Sequence, residues 1–324
     1  MGNQRVPKIE ITSILPQEIK FTLSNTDVSI ANALRRIMIA EVPTLAIDLV
    51  EFTENSTVLN DEYIAHRLGL IPIKYEDPET SRGGDCHGAF MSHRNCSCEE
   101  GCPRCEVELE LDVNFDLVAP NRLEHDADLP LTITSADLKS SNPSVMPAHF
   151  VSTDEQEEAQ DQGISIVKIG PGQHLKVKCK ARMGISKEHA KWCPVAVATY
   201  RFEPIITINE EACTTLSLEE KQELVEVCPD RILALEGGRL VVAENAMEMA
   251  TFTEELKVTQ NLMKKRPEDD DYVTVEHNMN RFIFSVETAG AMDAEEIFMS
   301  SLRVLKEKLN DLADRLTVIK EQGE

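Results

Sequence analysis

The stretch 293–320 sets the tightest condition on how this chain can fold. Phe298, Leu302, Leu305, Leu309, Leu312, Leu316 and Ile319 recur at steps of four, three, four, three, four and three. A seven-residue repeat kept over that length is the seam of a helix lying along another helix. The alternative, a helix resting on its own sheet, normally carries a wider apolar stripe. The narrow seam favours a helix–helix interface.

Near the other end, residues 24–43 also read as a helix. Thr26 or Asp27 can cap its first backbone N–H groups, and Pro43 pushes the preceding residue out of helical geometry. Ile30, Leu34, Ile37 and Glu41 share one stripe, which Ala33 and Met38 widen, with Arg35 and Arg36 at its flank. Strand patterns fill much of the rest. They cover residues 8–23 around Pro16, then 44–53, 56–59, 131–134, 195–202 and 281–286. Residues 106–118 alternate strictly, with Val107, Leu109, Leu111, Val113, Phe115 and Leu117 on one side. Ile164–Ile169 and His174–Ala181 flank Gly170-Pro-Gly and are expected to form a hairpin. A short helix is expected at 63–70. The fold class is therefore α+β.

Charge excludes one class of function. With 57 acidic against 33 basic residues, the 324-residue chain carries a net charge of −24. A protein that grips nucleic acid by itself neutralises phosphates with a basic face; this one is repelled. Only 5% of residues are aromatic, too few to make base stacking the main business. No run of about 20 apolar residues marks a membrane span, and the first residues lack the apolar core of a signal peptide. Nine cysteines, an odd number, fit a reducing compartment. No Walker loop, Gly-x-Ser-x-Gly or His-Glu-x-x-His motif is present, and no catalytic set emerges.

Four of the cysteines form the strongest chemical signal, Cys96-x-Cys98-x3-Cys102-x2-Cys105. Residues two apart in an extended stretch point the same way, and the second pair has knuckle spacing, with Gly101 and Pro103 suited to its turn. Four soft ligands suit one tetrahedral zinc ion with no open position, hence a structural site. The flanking segment holds too little apolar content to order itself, so the metal supplies folding energy. An iron–sulfur cluster and a group of free thiols are the alternatives. Cys86, His87 and His93 lie nearby, and either histidine can replace a thiolate.

The order of residues in three separated segments resembles the α-like subunits of RNA polymerase. These are Asn25-Thr-Asp-x3-Ala31-Asn-x-Leu-Arg-Arg36 with Glu41-Val-Pro43, then Asp61–Ile73, then Lys187-Glu-His-Ala-Lys-Trp192. The resemblance covers roughly the first two hundred residues and resumes at the carboxyl end. It implies a dimerisation domain, residues 1–49 plus 184–324, with an inserted mainly-β zinc-binding domain at 50–183 whose metal loop is 86–105. It implies a non-catalytic scaffold that pairs with a smaller α-like subunit. The pair carries the second-largest and largest catalytic subunits, with a small zinc-binding assembly subunit alongside. The pairing residues implied are Ile30, Leu34, Ile37, Phe298, Leu302, Leu305, Leu309, Leu312 and Leu316.

Arg35 and Arg36, and the loop bearing Lys187, His189, Lys191 and Trp192, are the implied contacts with the large subunits. Read without the resemblance, the first pair is a solvated helix flank and the second a surface loop with Trp192 tucked on the core. The four-cysteine pattern resembles members found in RNA polymerase II, a nuclear enzyme, more than those of polymerases I and III. Residues 210–265 are similar to a ferredoxin-type insertion of some archaeal members. Only Cys213 and Cys228 remain there, with Met249, Phe252 and Glu255 where further cysteines would fall, so no iron–sulfur cluster is expected. An archaeal member or the member of polymerases I and III and, from another class, an independent zinc or redox adaptor are the competing readings.

Overall fold

The computed structural model describes residues 6–76, 85–86, 88–99, 101–118, 130–148, 150–151, 161–227, 233–243, 258, 260–262, 264 and 271–322. In chain order these give β1 (Lys8–Ile14), β2 (Glu18–Ser24), α1 (Val28–Ala40), β3 (Pro43–Asn55), α2 (Asp61–Gly69) and β4 (Ile73–Tyr75). Next come β5 (Glu106–Asn114), α3 (Phe115–Val118), β6 (Leu131–Thr134), β7 (Lys139–Ser140), β8 (Val145–Pro147), β9 (Phe150–Val151), β10 (Asp161–Gln162) and β11 (Ser165–Ile169). The chain continues with β12 (His174–Ile185), β13 (Val195–Ile208), α4 (Glu210–Cys213), α5 (Leu218–Val227), β14 (Leu233–Glu236) and β15 (Arg239–Val242). It closes with β16 (Val273–Thr288) and α6 (Ala294–Gln322).

The chain divides into two compact units, one holding residues 1–10, 22–31 and 200–283, the other 11–21, 32–199 and 284–324. The expected boundaries at 49/50 and 183/184 fall inside β3 and β12, which run through them unbroken.

The larger unit is built on a six-stranded sheet ordered β7-β5-β12-β3-β4-β8. β12 lies at its heart, antiparallel to β3 on one side and to β5 on the other. Period-two alternation explains both faces. Leu175, Val177, Cys179 and Ala181 point inward with Leu109, Leu111, Leu45 and Ile47 into one core. His174, Lys176, Lys178, Lys180 and Arg182 point outward against the acids of β5, with Lys176 opposite Asp112 and Arg182 opposite Glu106. Such facing opposite charges support a sheet pair. α2 covers the apolar face through Ile64 and Leu68, both fully buried, and is capped by the Asn60 side chain accepting from Tyr63 N–H at 3.3 Å. In the same unit Phe21 stacks on Phe284 at 4.9 Å and meets Phe298 at 4.4 Å.

The smaller unit has its own core of Cys213, Leu216, Leu224, Leu233, Leu240 and Tyr272. β14 and β15 pair around Gly237–Gly238, the turn expected of that dipeptide. Cys213 sits in this core at 7% exposure. Cys228, Met249, Phe252 and Glu255 lie outside the described residues. A further sheet is ordered β1-β2-β16-β13.

Three expectations are corrected, the first being the strand at 56–59, where the chain leaves β3 at Asn55 and bends. β11 and β12 do not form a hairpin about Gly170-Pro-Gly: β11 pairs with β6, and β12 with β3 and β5. A turn dipeptide reverses the chain without fixing which strands it joins. The strand expected at 106–118 ends at Asn114, where Phe115–Val118 turns into a short helix.

Candidate metal centre and helical seam

β5 begins at Glu106, directly after Cys105, so the sheet anchors the last of the four cysteines. Main-chain bonds close the loop over it. Met91 N–H donates to Arg104 C=O at 2.8 Å and Cys96 N–H to His93 C=O at 3.3 Å, while Cys105 and Glu106 N–H donate to Cys102 C=O at 2.9 and 3.0 Å. Cys102 N–H also donates to Cys105 Sγ at 3.3 Å. Gly101 makes the turn with φ of +105°, a conformation open to glycine and strained for other residues.

All four Sγ atoms lie within 4.8 Å of one another. Cys96–Cys102 measures 3.6 Å, Cys98–Cys105 3.5 Å and Cys102–Cys105 3.7 Å. A tetrahedral thiolate site with metal–sulfur bonds of about 2.3 Å has edges of about 3.8 Å. The sulfurs therefore fit one ion, and this group can hold a metal. Taken as bare thiols, the four are unequal. The Arg104 backbone N–H, followed by the Cys96 side chain, brings Cys102 down to about 7. Burial pushes Cys105 up to about 12, and the Cys96 hydrogen bond raises Cys98. His93 Nδ1 stands 3.8 Å from Cys105 Sγ, beside the set. Cys86, buried with its Sγ 3.5 Å from Pro43 C=O, is kept a neutral thiol chiefly by burial and lies outside the cluster. His87 is outside the described residues.

On α1, Asp27 Oδ1 accepts from Ser29 and Ile30 N–H at 3.0 and 3.2 Å, making Asp27 the cap. Of the expected pairing residues on this helix, Ile30 is 38% exposed, but Leu34 and Ile37 are only 2% and 4% exposed. Together with Ala31 and Met38 they face the chain's own core. That leaves Leu34 and Ile37 little surface for a partner: the stripe is apolar as expected, and its cover comes from within the chain. α6 changes character along its length. Ala294, Ile297, Phe298 and Ser301 are buried, so Phe298 likewise leaves the seam. Leu302 and Leu305 are half-buried. Leu309, Leu312, Leu316 and Ile319 are then 55%, 54%, 50% and 64% exposed. Arg303, bonded to Asp85 and Glu296, and Lys308, which reaches both Glu41 oxygens at 2.7 Å, tie the helix to the chain just before this stripe.

The remaining expected contacts are also divided. Arg36 is exposed, whereas Arg35 is half-buried and donates to Asn32 Oδ1 at 3.0 and 3.2 Å. Lys187 and His189 are exposed. Lys191 Nζ is held by Asp48 at 2.6 Å and Ile47 C=O at 3.1 Å, and Trp192 is 7% exposed. Both are engaged inside the chain, Lys191 by Asp48 and Trp192 by burial. Trp192 lies flat against Gly184, where an added Cβ would come 2.5 Å from the indole. Reasoning from sequence missed Glu106, Arg182 and Asp48, which surround this loop. The alternation of bases along β12 against acids along β5 was the available signal.

A mixed helix-and-strand fold carrying a four-cysteine cluster and a terminal amphipathic helix defines a class that the comparisons identify. Residues 20–309 match the RNA polymerase Rpb3/Rpb11 dimerisation domain, and the chain belongs to that family. It is 40% identical over 316 residues to DNA-directed RNA polymerase II subunit rpb3 of Dictyostelium discoideum, covering 96% of this chain and 95% of that protein. It is 40% identical over 309 residues to DNA-directed RNA polymerases II, IV and V subunit 3 of Arabidopsis thaliana, covering 95% and 90%. DNA-directed RNA polymerase subunit Rpo3 of the archaeon Methanosphaera stadtmanae is similar at 29% over 304 residues, 94% and 96% of the two chains.

Proposed function

We propose that the chain is the larger α-like subunit of a nuclear DNA-directed RNA polymerase II, a non-catalytic scaffold. It pairs with the smaller α-like subunit, and the pair forms the platform for the second-largest and largest subunits, with a small zinc-binding assembly subunit joining them. The observation that carries this reading is the far half of α6. The family match over residues 20–309 runs into a helix whose Leu309, with Leu312, Leu316 and Ile319 just beyond the match, forms a seven-residue seam at half exposure or more. Leaving four large apolar side chains about half in water forgoes about 1 kcal/mol each, a deficit that a second helix removes.

Ile30, Leu302 and Leu305 extend the pairing surface, and Arg36, Lys187 and His189 are the groups available to the large subunits. The metal is one structural zinc ion. Four thiolates at single-ion spacing support it over a cluster of several irons, and it leaves no open position for catalysis. A net charge of −24 suits a subunit held away from the nucleic acid. The two relatives at 40% identity are both subunits of polymerase II, which supports the nuclear assignment.

Co-expression with the smaller α-like subunit tests the reading. A one-to-one complex with one zinc per chain is expected. Purification of the full chain as a well-behaved monomer indifferent to that partner would sink it, and favour a free-standing adaptor.

A further inference from the structure

A line of charged side chains runs from the metal loop to the Lys187–Trp192 loop, all within the larger unit. Glu106, next to Cys105, has a side chain only 8% exposed. Its carboxylate accepts from Arg182 Nη2 at 3.0 Å and Nε at 3.3 Å. Arg182 Nη1 lies 3.5 Å from one oxygen of Asp48, whose other oxygen accepts from Lys191 Nζ at 2.6 Å. Lys191 stands 4.4 Å over the Trp192 ring, and Trp192 Nε1 donates to Arg182 C=O at 3.0 Å. A second tie is direct: Arg94, two residues before Cys96, meets Glu188 at 3.0 Å.

At the cysteine end the line touches the loop backbone itself. A Cβ on Gly101 would stand 2.0 Å from Glu106 Oε1, so the turn between Cys98 and Cys102 lies directly on the carboxylate. Cys98 and Cys102, on either side of Gly101, belong to the set of sulfurs that a single ion would hold together. Each charge in this line is held by the next, Glu106 by Arg182, Arg182 by Asp48 and Asp48 by Lys191, so moving one leaves its neighbour's pairing unmet. Displacing the cysteine turn therefore displaces Glu106, and with it Arg182, Asp48 and Lys191.

We infer that metal occupancy at the four cysteines controls the seating of the Lys191–Trp192 loop, through Glu106, Arg182 and Asp48 acting as one unit. Arg182 and Asp48 are positioning residues: they are not among the four cysteine ligands, and they transmit the state of the cysteine loop to the surface that the Lys187–Trp192 loop offers. Loss of the metal, by chelation or by thiol oxidation, releases Trp192 and with it the exposed Lys187 and His189. The biological consequence rests on the proposed docking role of that loop, but the coupling itself does not.

Trp192 is the chain's single tryptophan, so full-length protein carrying 5-fluorotryptophan gives one fluorine resonance. Removing zinc with excess chelator is expected to shift and broaden that resonance, and restoring zinc to return it, with far-ultraviolet circular dichroism little changed. In Arg182→Met, which keeps its zinc, the resonance is expected to differ from wild type and to respond to chelation by less than half as much. Asp48→Asn repeats the test if the first variant loses zinc or fails to fold. A wild-type resonance unmoved while zinc content falls to zero overturns the inference. So does a full-sized chelation shift in the zinc-loaded variant, or a shift that appears only with general loss of structure. None of these readouts involves a large subunit, so the coupling and the scaffold function fail separately.

Discussion

Cys102 joins the two halves of the metal loop: its sulfur lies within 3.7 Å of both Cys96 and Cys105, and its carbonyl accepts the two N–H groups that start β5. Replacing it by Ser removes a soft ligand that the loop has no apolar core to replace. The expected result is zinc content near zero and rapid protease cleavage within 86–105, with subunit pairing retained. Gly184 is the second sensitive residue. In Gly184→Ala the new methyl would stand 2.5 Å from a Trp192 ring that is 7% exposed, so overpacking should cost about 1–3 kcal/mol by urea denaturation.

His174 gives a pH signature. It lies 3.0 Å from Glu54 and 2.7 Å from Asp112, which also accepts from Lys176 at 2.6 Å. The Asp112 hydrogen bond holds His174 above its ordinary value, and the Lys176 hydrogen bond holds Asp112 below its own. The raised His174 stabilises fully below the unfolded value of about 6.5, and that contribution fades as pH rises through the folded value. The lowered Asp112 contributes above about 3.9 and fades as pH falls through its folded value. The urea midpoint gap between wild type and His174→Gln should therefore be wider at pH 5.5 than at pH 8.5; a gap independent of pH contradicts the assignment. At this scale the four cysteines were legible because metal chemistry fixes their spacing. Glu106 was not, being one acid among several on the outward side of β5 until the fold set it under Gly101 and against Arg182.

Among the elements, α1 and α6 separate what periodicity reveals from what it does not. Both apolar stripes were readable, and both helices form, at 28–40 and 294–322. What covers each stripe was not readable, because a buried face has the same pattern whether its cover is internal or another chain. Leu34 at 2% exposure and Leu312 at 54% should therefore behave oppositely. Leu34→Ala is expected to cost about 2–5 kcal/mol of stability and to weaken pairing only as far as the chain unfolds. Leu312→Asp is expected to change the chain's own stability by no more than about 0.5 kcal/mol and to abolish pairing. Denaturation midpoints and co-purification yields, measured on the same two variants, check both halves. The alternating strand β5 was legible for a related reason: period two leaves no choice of face, whereas the partners of β11 and β12 depended on contacts far along the chain.

As a whole, the molecule pairs a fold with no catalytic set recognised in its sequence with an exposed apolar ridge on α6, a four-cysteine loop and a strongly acidic composition. None of its described helices is long and apolar enough to cross a membrane. The parts point toward being held in an assembly, and family membership gives that assembly its identity. Native mass spectrometry of the full chain co-expressed with the smaller α-like subunit tests this most directly. We expect a one-to-one heterodimer carrying one zinc on this chain, dissolved by Leu312→Asp and kept by Cys102→Ser. A stable monomer whose residues 309–322 are protected from hydrogen exchange without any partner would contradict the account.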